Sequence, residues 1–224
     1  MSLSDELKAG VGKVWEQVLT HPFVVELGDG TLPRATFDIY FDQDHLFLKD
    51  WAILLSLATA KSADFDAARQ LVGFLHVGLG GEEGLFQEAF RERGLSPQDV
   101  ATIEYRPLTF SYSGYLRKNA YEGSFLDVIA TLLAVEWPYM DWAQRLDAAG
   151  KRPENHYYQT WIDLHTSKEM TGFVDWLRRT VDEAPTTEAD RSRLQDIFRV
   201  VLRYELLFWE MAYRDEQWPD ISAG

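Results

Sequence analysis

The segment FDIYFDQDHLFLKDWAILLSLATA, residues 37–60, places Phe37, Tyr40, Phe41, Phe47, Leu48, Trp51, Leu55 and Ala58 three or four positions apart. That spacing is the period of a single helical face, so the segment predicts an unbroken helix of about six turns at 3.6 residues per turn. Upstream, Leu7, Val11, Val14, Trp15, Val18 and Leu19 form another such face, which His21-Pro22 ends. In Leu27-Gly-Asp-Gly-Thr31, Gly28 and Gly30 mark a loop, and Pro33 is set to open the next helix. Downstream, helices are predicted over 64–77 and 82–93, split by the turn signal Gly78-Leu-Gly-Gly81. Ser96-Pro97 opens a short helix that ends before Arg106-Pro107, and 109–122 reads as a helix stopped by Gly123. Ser124 caps a long apolar stretch, 125–149, in which Pro138 should kink the helix or remove one hydrogen bond. Residues 155–165, 168–182 and 188–213 complete the series.

Strand-like alternation, a Pro/Gly/Ser-rich linker and a solenoid repeat are all missing from the sequence. The expectation is one all-α domain over 1–224, a bundle whose natural ligand site lies between facing helices. The 224 residues are 46% hydrophobic and 26% charged, which suits a folded core and excludes disordered or fibrous classes. A net charge of −14 without a basic stripe argues against nucleic acid as a partner. The lack of cysteine excludes disulfides, thiolate metal sites and a sulfur nucleophile. The N-terminus has no basic and apolar signal pattern, and no run approaches the ~20 apolar residues of a membrane span, so a cytoplasmic protein is expected.

Three acids sit where the helical period calls for a hydrophobe. Asp44 lies one turn after Tyr40 and Phe41 and one turn before Phe47 and Leu48. Glu136 follows Leu132 and Leu133 and precedes Tyr139 and Met140; Glu205 is bracketed by Val201, Leu202, Phe208 and Trp209. Burying an unpaired carboxylate costs several kcal/mol, so such a group pairs, takes a proton or is kept for chemistry. Desolvation raises a carboxyl pKa toward neutrality, where proton transfer is efficient. The plainer alternative is a structural partner for each acid: Arg203, Arg145 or a tyrosine. Tyr40, Phe47, Tyr112 and Tyr139 are candidates to stack on a planar heterocycle and to meet its nitrogen atoms, although aromatics at this period also serve as plain core. His165, four residues after inward-facing Trp161, is placed either to line a pocket or to sit satisfied in the core. A di-iron bundle needs paired Glu-x-x-His motifs; Asp42-Gln-Asp-His45 is the single near match and the five histidines are scattered, so no metal or cofactor is expected. No serine elbow, phosphate loop or dinucleotide fingerprint is present.

These acids and their surroundings resemble the TenA family, the thiaminase II group of the haem-oxygenase-like helical fold. The resemblance runs from about His21 to Tyr213. It rests on His21-Pro-Phe, Leu27-Gly-Asp-Gly-Thr-Leu-Pro33, the 37–48 stretch, Pro107 with Tyr112, Glu136-Trp-Pro-Tyr139, Trp161-Ile162 and Tyr204-Glu205-Leu-Leu-Phe-Trp209, in that order. It implies a hydrolase of thiamine salvage acting on an aminopyrimidine. Asp44 would bind the pyrimidine amino group and ring nitrogen, and Glu205 would act as the acid/base that protonates the leaving amine. Tyr112 and Tyr139 would shape the site, with Tyr40, Phe47, Trp161, His165 and Phe208 completing the substrate-binding set. Where the better known branch carries a nucleophilic cysteine this chain has Val135, where it has tyrosines this chain has Phe47 and His165, and Glu136 resembles the glutamate of a cysteine-free branch. Glu136 and Glu205 would then activate water or relay protons at an amino or formylamino substituent. The alternatives are a pyrimidine-binding accessory protein without catalysis and a metal-dependent oxidase. Family members are usually tetrameric, and Trp142 and Trp176, expected to be exposed, would suit a homo-oligomer.

Overall fold

The structure is a computed structural model that describes residues 1–220, which form eleven α-helices and no strand. α1 (Leu3–Gly10) and α2 (Lys13–Leu19) divide the first predicted face at Gly12, whose φ of +57° leaves the helical region. α3 (Pro22–Asp29) begins on Pro22 and absorbs Gly28, so the expected loop shrinks to a left-handed C-cap at Gly30, φ +72°. α4 (Arg34–Lys61) contains the whole 37–60 stretch. α6 (Pro97–Ala101), α7 (Pro107–Glu122), α9 (His156–His165) and α10 (Lys168–Glu183) fall within a residue or two of expectation. Ser124 with Asp127, and Thr187 with Asp190, form reciprocal capping boxes that start α8 (Phe125–Ala148) and α11 (Glu188–Tyr213).

The main departure is α5 (Phe65–Glu92), one continuous helix through the Gly78-Leu-Gly-Gly81 signal. An interior helical glycine costs up to about 1 kcal/mol, so packing must offset it. At Gly78 it does: an added Cβ would lie 2.5 Å from Cη2 of Trp51 on α4, and only a bare backbone admits that indole. α8 is the central element. It is buried continuously from Asp127 to Met140, runs unbroken through Pro138, and packs against α2, α4, α7, α9, α10 and α11. Trp142, expected at the surface, is only 1% exposed, wedged against Tyr139, His165 and Trp209; Trp176 is half-buried, stacked on Phe173. Among the described residues no helix is long and apolar enough to cross a membrane.

Candidate active site

A cavity of about 180 Å³ opens between α4, α5, α8 and the junction of α9 with α10. Its wall mixes apolar side chains, among them Leu48, Val135 and Met170, with the acids Asp44, Glu82 and Glu136, and Glu169 is also among its lining residues; none of them is lysine or arginine. Of the residues expected at the site, Asp44, Phe47, Glu136, Tyr139 and His165 stand on this wall. Val135 lines it with a bare isopropyl group.

The helical period explains the convergence. α4 turns Asp44 to the same buried side as Tyr40, Phe47 and Trp51, and the 127–140 stretch of α8 has no exposed face on which Glu136 might escape. Asp44 is 5% exposed, and its Oδ2 has no hydrogen-bond partner. Burial lifts its pKa from 3.8 to about 7, with the Tyr40 hydroxyl working in the opposite direction. Glu136 is also raised by burial, from 4.5 to about 7, against the pull of the Trp51 Nε1–H, which donates to Oε1 at 2.6 Å. That anchor leaves the second oxygen of Glu136 for a ligand or water. Glu82 is lifted well above the usual carboxyl range by burial and by the charges of Asp44 and Glu136.

His165 has a fixed tautomer. Its Nδ1 is 2.8 Å from the Trp161 carbonyl oxygen, which accepts only, so Nδ1 carries the hydrogen. Burial pushes the ring down to about 4, so near neutral pH it is uncharged and Nε2 keeps a lone pair.

Glu205 and several aromatics lie one layer further back. Glu205, Tyr40, Tyr112, Trp161 and Phe208, also expected at the site, are buried and are not among the residues that line the cavity. Tyr112 donates its hydroxyl hydrogen to Oε1 of Glu205; the Tyr40 and Tyr139 hydroxyls are 3.1 Å apart; Phe208 packs on Tyr40 and Phe47. Burial first, then the charges of Asp44 and Glu136, raise Glu205 well above the ordinary carboxyl value, so it belongs to the same electrostatic cluster. The structural partners considered for the acids resolve as a tyrosine for Glu205 and an indole for Glu136. Arg145 instead pairs with Glu16 and Asp141, and Arg203 is exposed. His45 packs edge-on against Phe86 and Phe90, and among the described residues no three His, Asp or Glu side chains are placed so that they could hold a metal ion.

Sequence reasoning missed Glu82. Its signal was available only with α5 read as continuous, because the apparent turn at 78–81 put Glu82 at a helix start where acids are ordinary. The same glycines suggest a test. Gly78→Ala should push Trp51 off α5 and loosen its hold on Glu136, lowering stability by about 1–3 kcal/mol in urea unfolding despite the better helix propensity of alanine.

Residues 9–215 match the TENA/THI-4/PQQC family. The chain belongs to that family. Among curated relatives, the aminopyrimidine aminohydrolase of Halalkalibacterium halodurans is 32% identical over 220 residues, covering 97% of this chain and 98% of that protein. The aminopyrimidine aminohydrolase of Helicobacter pylori is 29% identical, over 96% of this chain and all of that one. Among solved structures, a TenA homologue from P. horikoshii OT3 superposes with a TM-score of 0.86 at 26% identity, over 96% of this chain and 99% of the other. A haem oxygenase from the cyanobacterium Synechocystis, complexed with haem, shares the fold at TM-score 0.67 and 13% identity, over 96% of this chain and 94% of the other. The bundle of this family member is thus haem-oxygenase-like.

Proposed function

We propose that this member of the family is an aminopyrimidine hydrolase of thiamine salvage, working by acid/base catalysis with water as nucleophile. The observation that carries the reading is the convergence of Asp44, Glu82 and Glu136, from three helices, on one small cavity whose lining holds no lysine or arginine, with Glu205 in the same electrostatic cluster. Cations and hydrogen-bond donors suit such a wall, and an aminopyrimidine presents both. In this scheme Asp44 holds the ring's amino group and ring nitrogen, and Phe47 and Tyr139 flank the ring. Glu136 takes a proton from water as its oxygen attacks the exocyclic carbon; the carbon–nitrogen bond breaks, and the amine leaves with a proton from Glu205. The products are a hydroxymethyl pyrimidine and ammonia. A formylamino substituent, cleaved to an amine, is the variant substrate of the same chemistry. The relatives named aminopyrimidine aminohydrolase support the substrate class. A cytoplasmic homotetramer, in keeping with the family resemblance, is the form in which we expect the protein to work.

Incubation of the purified chain with the aminomethyl and formylaminomethyl aminopyrimidines, following ammonia and formate, tests the reading. Ammonia from the aminomethyl compound is expected. Tight pyrimidine binding without turnover would instead make the protein an accessory module.

A further inference from the structure

Glu82 makes no hydrogen bond or ion pair with any described residue, yet it lines the cavity together with Asp44 and Glu136. It stands on the part of α5 richest in glycine: Gly78, Gly80, Gly81 and Gly84 surround it. Two of these, Gly80 and Gly84, have open space where a Cβ would be, so the helix there has little packing to protect and sends one carboxyl side chain into the pocket. The 95%-buried Asp44, with Oδ2 unpartnered on the same wall, independently marks the cavity as built for a hydrogen-bond donor that the protein itself does not supply.

The roles already given leave Glu82 over. Asp44 meets the ring, Glu136 is tethered by Trp51 and faces the water, and Glu205 is held behind the wall by Tyr112. The ligand has one further polar group. An aliphatic amine on a methylene is an ammonium near neutral pH, whereas the alcohol that replaces it is neutral. We propose that Glu82 receives the ammonium group of the substrate, taking up its extra proton before the free amine is protonated for departure by Glu205, and so separates the amine substrate from the alcohol product. This rests on the hydrolase reading above and adds to it a residue that favours amine binding and product release.

Calorimetric titration with the aminomethyl and hydroxymethyl aminopyrimidines, using the whole protein, tests the assignment. The wild type is expected to bind the amine more tightly. Glu82→Gln should weaken the amine by about tenfold or more while moving the alcohol by no more than about twofold, the signature of a lost charge-assisted contact. In turnover the same variant should raise KM for the amine. Glu82→Asp, which keeps the charge on a shorter stem, should restore most of the preference. Glu83→Gln, the adjacent substitution on α5, should leave both affinities in place. Equal weakening of both ligands by Glu82→Gln, or no change for the amine, would overturn the assignment. A wild type that binds neither compound would overturn the hydrolase reading itself, and the assignment with it.

Discussion

Glu205→Gln is expected to lower kcat for ammonia release by about two to four orders of magnitude, the range that a positioned general acid contributes, while pyrimidine affinity stays within a few-fold of wild type. The two parts of that result have separate causes. The amide oxygen of glutamine still accepts the Tyr112 hydroxyl hydrogen, so the buried contact between α7 and α11 survives and the aromatic layer behind the wall keeps its shape. The carboxyl proton, in contrast, is gone. Burial and the neighbouring Asp44 and Glu136 disfavour the charged form of Glu205 and so favour the carboxyl that keeps this proton. Loss of the proton removes the group that would let the amine leave. Because Glu205 does not touch the cavity, the experiment also separates two sources of the proton. Normal turnover in the variant would place the acid among Glu82, Glu136 and the other groups of the wall. Steady-state ammonia release, paired with titration of the hydroxymethyl pyrimidine, reads both quantities.

Much of this arrangement was legible in the spacing of α4, α8 and α11, and the reason is physical. A charge inside an apolar stripe is costly enough to be informative, and Asp44, Glu136 and Glu205 all proved buried. The period of a helix reports which face a residue takes, not how many layers lie between it and a cavity. Asp44 reaches the wall, whereas Tyr40, one turn earlier on the same face, is not among the lining residues: its ring packs on Phe23, Phe37 and Trp209 and its hydroxyl meets that of Tyr139. Only packing from other helices decides that difference. Glu82 was hidden for another reason: glycines read as a turn when judged by local propensity, whereas α5 uses Gly78 to accept the Trp51 ring. Trp142 failed for a third reason: it stands where α8 leaves its continuously buried stretch, beside the polar positions Asp141, Gln144 and Arg145, and only the packing of His165 and Trp209 encloses it.

Burying these acids also carries a cost that varies with pH, and Glu136 allows it to be measured. In the unfolded chain its carboxyl titrates near 4.5; in the folded protein burial raises it to about 7. Between those values the folded state keeps a proton that the unfolded state has released, so stability falls as pH rises through this window and levels off above it. The charged form costs about 3 kcal/mol for a carboxyl moved that far, and Asp44, moved from 3.8 to about 7, acts with the same sign. Glu136→Gln is permanently neutral and still accepts the Trp51 N–H through its amide oxygen. The variant should therefore match wild type within about 1 kcal/mol at pH 4.5 and exceed it by about 3 kcal/mol at pH 8 in urea unfolding. Acids elsewhere that are held below their usual range, such as half-buried Asp190 at about 2, titrate in both proteins and cancel in the comparison. A difference independent of pH would mean that Glu136 is already ionised at no cost in the folded chain, and would remove the basis for its role as a base poised near neutrality. The expected gain in stability comes with loss of the water-activating group, so the more stable protein should be the less active one.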